Sequence, residues 1–275
     1  MTVIAVAQLE PRLGDLPGNL ERSVQAIRRA HAAGAEIIVL PELASSGYMF
    51  ASRAEAYAAS EVAGAGPVTT AWRALADELD VIVVAGFPER DGERLYNAAF
   101  MAVPHLGTTV YRKVHLWDEE ALYFEPGDLG FPVVPTRHGR LGMLICYDGW
   151  FPESYRTLAL AGADVVCVPT NWVPIPGQRA EASAMAVTLS MAAAHSNGLV
   201  IAAAARVGGE RGQDFIGQST IIDHTGWPVA GPADATGITQ LLADVDISQI
   251  RRSRSWGNFN NPVRDRRPDQ YQGLG

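Results

Sequence analysis

Short, nearly unbroken apolar runs alternate along this chain with longer stretches of helical period. Residues 2–8, TVIAVAQ, read as a first buried strand. The loop LEPRLGDLPGN follows, and Asn19 can cap a helix beginning at Leu20, with Leu20, Val24 and Ile27 on one face and Gly34 as its stop. EIIVLPEL is a strand closed by Pro41 and followed by Glu42. A helix over 68–79 and strands at 81–87, 95–103 and 108–116 continue the alternation, the last running into the charged, aromatic loop WDEEALYFEPGD. Leu141 to Ile145 is long enough for a strand and too short for a helix; it stops at Cys146, and FPESYRTLALAGA beyond it has helical spacing. ADVVCVPTN at 163–171 is a further strand. An alanine-rich segment over 179–196 has high helix propensity and stops near Asn197-Gly198. LVIAAAARV, STIIDHTG and ITQLLADVD are strand-like. From about 247 the chain loses its apolar period and reads as an extended tail in need of a partner surface.

Strands alternating with helices predict an α/β protein with helices over sheet faces, and no linker divides the 275 residues, so one domain is expected. The net charge of −8 comes without a basic run apart from scattered arginines near the end, which argues against nucleic acid and anionic membrane as partners. No window approaches a membrane span, and the amino-terminal stretch lacks the pattern of a secretory signal. Only Cys146 and Cys167 could form a disulfide, and both belong to apolar strand-like runs. A reduced, cytoplasmic protein is the expectation.

Candidate chemistry then falls on three strand ends. Glu42 follows IIVLP, Lys113 lies within TVYRKVHL, and Cys146 follows LGMLI. Ends on one edge of a sheet converge in space, where open α/β sheets bind ligands. A carboxylate, an ammonium and a thiol in one pocket suit acyl transfer: the carboxylate takes the thiol proton, the thiolate attacks a carbonyl, and the ammonium holds the oxyanion. A helix amino-terminus just after Cys146 would favour the thiolate. Each residue also has a plain alternative: a solvated loop Glu, an edge-strand Lys, a small core Cys. Cys167, mid-strand in DVVCVP, reads as packing. The six histidines show no metal-ligand spacing.

VLPELASSGY around Glu42, YRKVHLW around Lys113 and LICYDGWFPESYR around Cys146 resemble the three signature blocks of the nitrilase superfamily of carbon–nitrogen hydrolases. AVAQLEPRLGDLPGNLE, YFEPGD, VPTNW and the RRPDQY ending extend the likeness over nearly the whole chain, in family order. The resemblance implies a four-layer αββα sandwich, a Glu-Lys-Cys triad, no metal and no cofactor. It also implies a homo-oligomer, a dimer or larger, assembled through helices and the carboxyl-terminal tail. By this likeness Glu42 is the general base, Lys113 the oxyanion partner, Cys146 the nucleophile, and the Tyr147 backbone N–H the second oxyanion donor. A second glutamate is implied between the Lys and Cys blocks. Glu120, four residues before Phe124, fits best, with Glu119 the competing candidate. His115 is expected to brace the lysine block and His195 to be an ordinary helix residue. Asn171 and Trp172, then Trp117 and Tyr48, are the pocket-wall candidates, each aromatic with ordinary core as its alternative.

Tyr147-Asp148 after the cysteine resembles the amidase and carbamoylase branches; nitrilases proper usually have tryptophan and glutamate there. Val173-Pro174-Ile175-Pro176, apolar and stiff, disfavours a carboxylate-bearing substrate, although Arg179 is near. The expectation is an amidase converting a small aliphatic or ω-amino carboxamide to acid and ammonia through a thioester. An N-carbamoyl amine or amino acid hydrolase, a nitrilase and, more remotely, a non-catalytic scaffold are the alternatives.

Overall fold

The computed structural model describes residues 1–179 and 182–271. The first half runs β1 (Thr2–Gln8), α1 (Leu16–Ala32), β2 (Ile37–Val39), α2 (Arg53–Ala59), α3 (Pro67–Leu79), β3 (Ile82–Asp91), β4 (Arg94–Val103), β5 (Gly107–Arg112) and the single turn α4 (Glu120–Tyr123). The second runs β6 (Val133–Thr136), β7 (Gly139–Met143), a 3₁₀ turn over Cys146–Trp150, α5 (Pro152–Leu160), β8 (Val165–Pro169), α6 (Met185–Asn197) and β9 (Val200–Ala204). It closes with the hairpin β10 (Gly209–Glu210) and β11 (Gln213–Asp214), then β12 (Thr220–Ile222), β13 (Pro228–Ala230), β14 (Thr239–Val245) and α7 (Ile247–Ser253).

Two six-stranded sheets form, in the orders β14-β1-β2-β3-β4-β5 and β13-β12-β9-β8-β7-β6. Period-two alternation assigns the faces. Ile4, Val6, Ile37, Val39, Ile82, Val84 and Met101 join the core shared with the second sheet. Their neighbours Ala5, Ala7, Ile38, Val83, Ala85 and Phe100 pack against Ile27 of α1 and Trp72 and Leu75 of α3. Tyr155 and Leu158 of α5 and Val187 and Ala194 of α6 belong to the core that contains the second sheet. The layers are therefore the αββα sandwich, and strands buried on both faces explain why the sequence shows continuous apolar runs there.

Several boundaries differ from expectation. The first helix begins at Leu16, before Asn19: the Asp15 side chain accepts from the Gly18 N–H at 3.1 Å, and Pro17 occupies the first turn, where no N–H is needed. Asn19 is buried instead and ties the preceding loop, accepting from the Arg12 N–H at 2.8 Å and donating to its carbonyl at 2.7 Å. β7 stops at Met143, short of Cys146, and the helix after the cysteine waits for Pro152 because the 3₁₀ turn intervenes. The alanine-rich helix spans Met185–Asn197, and residues 180–181 of the stretch assigned to it lie outside the described residues. Strands β6, β10, β11 and β13 and helix α2, all short, had no period long enough to read. The stretch from 247 opens as a helix, not an extended tail: Asp246 caps α7 and Ile250 is fully buried. Among the described residues no helix is long and apolar enough to cross a membrane.

Candidate active site

The carboxyl ends of β2, β5, β7 and β8 meet at one end of the sandwich. Beyond β2 the backbone continues against β3, with the Leu40 N–H donating to the Val84 carbonyl at 2.8 Å and the Gly86 N–H to the Pro41 carbonyl at 3.0 Å. A Cβ at Gly86 would lie 2.5 Å from the Cα of Glu42, so only glycine lets the Glu42 loop approach this strand. Lys113 follows β5 directly, its N–H donating to the Asn97 carbonyl at 2.8 Å. A Cβ at Gly127 would lie 2.0 Å from the Arg112 carbonyl; with that side chain absent, the Pro126-Gly127-Asp128 turn docks on β5 and the Gly127 N–H donates to the Lys113 carbonyl at 2.8 Å.

Glu42 and Lys113 are almost wholly enclosed, at 0% and 1% exposure. Lys113 Nζ lies 2.7 Å from Glu42 Oε1 and 2.7 Å from Glu120 Oε1. Asn97 Nδ2 donates to the same two oxygens at 2.7 and 3.3 Å. Tyr48 donates its hydroxyl to Glu120 Oε1 at 2.6 Å, and the Trp117 N–H donates to Glu120 Oε2 at 3.0 Å. Two oxygens of this cluster, Glu42 Oε2 and Asn97 Oδ1, have no partner among the described residues. The single turn α4 rotates Glu120 inward and leaves Glu119 exposed.

Burial first, and the Glu120 charge second, raise the Glu42 carboxyl to about 7 against the pull of Lys113. Burial opposes the Lys113 ammonium, but Glu120, Glu42 and the cysteine outweigh it and hold this group above its ordinary range. Tyr48 is raised well above its ordinary value by burial and by Glu120, so its hydroxyl is a donor.

Cys146 is only partly buried and has φ +42°, a left-handed backbone that non-glycine residues rarely adopt. The parallel register of β7 on β8 pairs Met143 with Cys167. Carried on beyond the strand, it brings Cys146 beside Thr170. Burial first, then Glu42, push the Cys146 thiol above its ordinary value, with Lys113, the Thr170 hydroxyl and the Asn171 N–H working the other way. The helix-terminus effect expected to favour a thiolate is thus outweighed: the resting group is a thiol beside a carboxylate able to take its proton. Asp148 braces the turn, accepting from the Ile145 N–H at 2.9 Å, the His115 N–H at 3.0 Å and the Tyr111 hydroxyl at 2.7 Å. His115 Nδ1 also lies 2.8 Å from it, while its ring stacks on Phe151 at 3.7 Å.

Cys146 lies in a narrow pocket of about 10 Å³ walled by Trp117, Tyr147, Trp150, Asn171, Trp172 and Val173. Trp117 and Val173 also border an adjoining cavity of about 230 Å³, which reaches Tyr48, Glu120, Asp118 and Glu119. Of the residues singled out from the sequence, Trp117, Cys146, Tyr147, Asn171 and Trp172 line the narrow pocket, and Tyr48 and Glu120 border the adjoining cavity. Glu42 and Lys113 are enclosed behind them, bonded to Glu120 through Lys113. Cys167 is fully buried elsewhere, in β8. His195 is an exposed residue of α6 stacked on Trp256 at 5.1 Å. Sequence reasoning missed Asn97, Thr170 and the bracing part of Asp148. Asn97 left a signal, one amide inside the apolar run LYNAAFMAV; Thr170 and Asp148 left none beyond their neighbours. Glu210 was also missed: it accepts from the Tyr48 and Met49 N–H groups at 2.8 and 3.0 Å and is paired with buried Arg206 at 2.7 Å. Among the described residues no group of three His, Cys, Asp or Glu side chains is arranged to hold a metal ion.

The family model described as Carbon-nitrogen hydrolase matches residues 3–255. A nitrilase of Pyrococcus abyssi is 36% identical over 98% of this chain and 99% of its own. A citrullinase of Francisella tularensis is 34% identical over 92% of this chain and 91% of its own. Among solved structures, the amidase from Nesterenkonia sp. AN1 superposes with TM-score 0.80 at 27% identity, covering 98% of each chain. In that structure acrylamide has undergone Michael addition at the active-site cysteine.

Proposed function

The chain belongs to the carbon–nitrogen hydrolase family, the nitrilase superfamily, and is a hydrolase of non-peptide C–N bonds; from that premise we propose that it is an amidase acting on a small aliphatic or ω-amino carboxamide. The observation that carries this reading is the join between the Lys113-bridged carboxylates and Cys146, a partly buried residue whose pocket walls, Asn171 apart, are aromatic and aliphatic. Among the described residues no arginine or lysine lines that pocket to hold a substrate carboxylate.

In the proposed reaction Glu42 Oε2 takes the Cys146 proton as Sγ attacks the carbonyl carbon. The oxyanion rests between Lys113 Nζ and the Tyr147 N–H, at the start of the 3₁₀ turn, where N–H groups lack carbonyl partners within the turn. The C–N bond breaks as Glu42 returns the proton to nitrogen, and ammonia leaves. Water then attacks the thioester, giving one proton to Glu42, which passes it to the departing sulfur as the acid forms. A carboxyl raised to about 7 is suited to both directions of transfer. Glu120 acts through Lys113, fixing its position.

A second reading, hydrolysis of an N-carbamoyl amine, is favoured by Asp118 and Glu119 on the adjoining cavity, which suit a cationic far end. Ammonia release from matched carboxamides, ureido compounds and nitriles, with neutral and ω-amino chains, tests both. Turnover of carboxamides supports the amidase; carbon dioxide accompanying ammonia from ureido compounds alone selects the second reading; turnover of nitriles alone overturns both. Self-association completes the proposal: Trp256 and Phe259 are 56% and 85% exposed, apolar surface suited to a second copy, and sedimentation measures it.

A further inference from the structure

Asn171 is 2% exposed and lines the Cys146 pocket. Its Nδ2 donates to the Glu42 backbone carbonyl at 2.9 Å. A carbonyl can only accept, so this bond fixes which end of the amide is nitrogen, and Oδ1 takes the other side. Among the described residues that oxygen has no partner. Buried polar atoms are nearly always paired, and an unpaired one inside a reactive pocket calls for a donor from the ligand.

The substrate's geometry says which donor. A trigonal carbonyl carbon held against Cys146 has three substituents. Its oxygen lies toward Lys113 and the Tyr147 N–H, and its carbon chain must run out toward the adjoining cavity. The leaving nitrogen is left on the side of Glu42, which must reach it with a proton. Asn171 is bonded to the main chain of that same residue and lines the pocket, which puts its side chain on the Glu42 side of the thiol.

We propose that Asn171 Oδ1 accepts a hydrogen bond from the scissile nitrogen, turning the nitrogen lone pair toward Glu42 and making the enzyme selective for amide-type over ester leaving groups. An ester oxygen carries no hydrogen, and its lone pairs face those of Oδ1. A site that must pair a buried acceptor discriminates strongly against an analogue lacking the donor. The inference rests on the acyl-transfer reading above and deepens it: it assigns the feature of the substrate on which selectivity depends.

The test compares a carboxamide with the methyl ester of the same acid in the wild type and in Asn171→Leu and Asn171→Ala. The kcat/KM ratio of amide to ester is expected to fall about 10- to 100-fold in both variants. An unchanged ratio overturns the proposal. So does a fall in the ratio without loss of amide-over-ester binding preference when Asn171→Leu is added to Cys146→Ala, because a displaced Glu42 slows the amide, whose nitrogen it protonates, more than the ester. Should neither variant fold, Cys146→Ala, which cannot be acylated, reads the preference at equilibrium. It should bind the amide at least about tenfold more tightly than the ester, and equal affinities overturn the proposal. If the wild type cleaves ureido compounds but no carboxamide, the amidase reading falls, and a ureido compound against the methyl carbamate of the same amine poses the same question. If only nitriles are cleaved, both fall.

Discussion

Arg112 and Lys113 are neighbours at the end of one strand, both nearly enclosed, both surrounded by carboxylates, and they serve opposite ends. Arg112 donates to Glu89 at 2.7 and 3.0 Å, to Asp128 at 2.9 Å and to Asp91 at 3.0 Å, and its guanidinium lies 3.9 Å from the Tyr96 ring centroid. No side-chain atom of that group is both buried and unpartnered. Lys113 holds Glu42 and Glu120 at equal distance but leaves Glu42 Oε2 unpaired, beside a thiol that lines a narrow pocket. A saturated ion cluster fixes the turn that follows β5, whereas an incomplete one keeps a group free to exchange protons. Between these two clusters the density of buried charge draws no distinction; the unpaired carboxylate oxygen beside the thiol does.

Lys113→Met against Arg112→Met is the sharpest way to break that contrast. The lysine change strands Glu42 and Glu120, and the arginine change strands buried Glu89 beside the half-exposed Asp91 and Asp128, so each should lose about 3–5 kcal/mol of stability by chemical denaturation. Only the lysine variant should lose turnover, by about 10²- to 10³-fold or more in its folded fraction. Equal losses of activity would show the two clusters to be one machine. The cysteines give a smaller expected effect. At neutral pH, iodoacetamide should modify Cys146 at least about tenfold faster than Cys167: burial raises both thiols, but Cys146 lines a pocket with Glu42 beside it to take its proton, whereas Cys167 is fully buried. Comparable rates in the folded protein would remove the distinction.

The finest test uses pH. With Glu42 acting as base, activity rises as pH passes through about 7. Glu120 is one of the charges raising that carboxyl, so Glu120→Gln should move the acid limb of kcat/KM to lower pH, and Glu119→Gln should leave it in place. A limb that moves only in the Glu119 variant reverses the assignment. Stability follows the same group. The folded state holds this proton more tightly than the unfolded chain, so the contribution of Glu42 is full below the ordinary carboxylate range and is lost as pH rises through about 7.

The layers and strand ends were legible because the central strands β1, β2, β3, β4, β8 and β9 are buried on both faces, and a continuous apolar run broken by a polar residue marks where a strand leaves the core. Glu42, Lys113 and Cys146 all stand at such breaks. Asn97 was hidden because a single polar residue within a run carries no period. The inward turn of Glu120 and outward turn of Glu119 is a matter of helical phase, set by how the one-turn helix α4 docks. Pattern fails there because four residues are too few to show a face. The choice of Glu120 came from its spacing to Phe124 within a family motif. Asp15 displaced Asn19 as cap because both are good caps, and Pro17 decided between them. Where the nitrogen of an amide such as Asn171 points depends on a carbonyl far away in sequence, and no local signal holds that information.

The left-handed backbone at Cys146 has a thermodynamic consequence. A side chain in that conformation costs on the order of 1–2 kcal/mol that glycine would not incur. Cys146→Gly should therefore be inert as a hydrolase and yet melt higher than Cys146→Ala, which keeps the strain. A chain selected for persistence alone would carry glycine at this turn, and the sulfur there is a measure of how much thermal margin has been surrendered for reactivity.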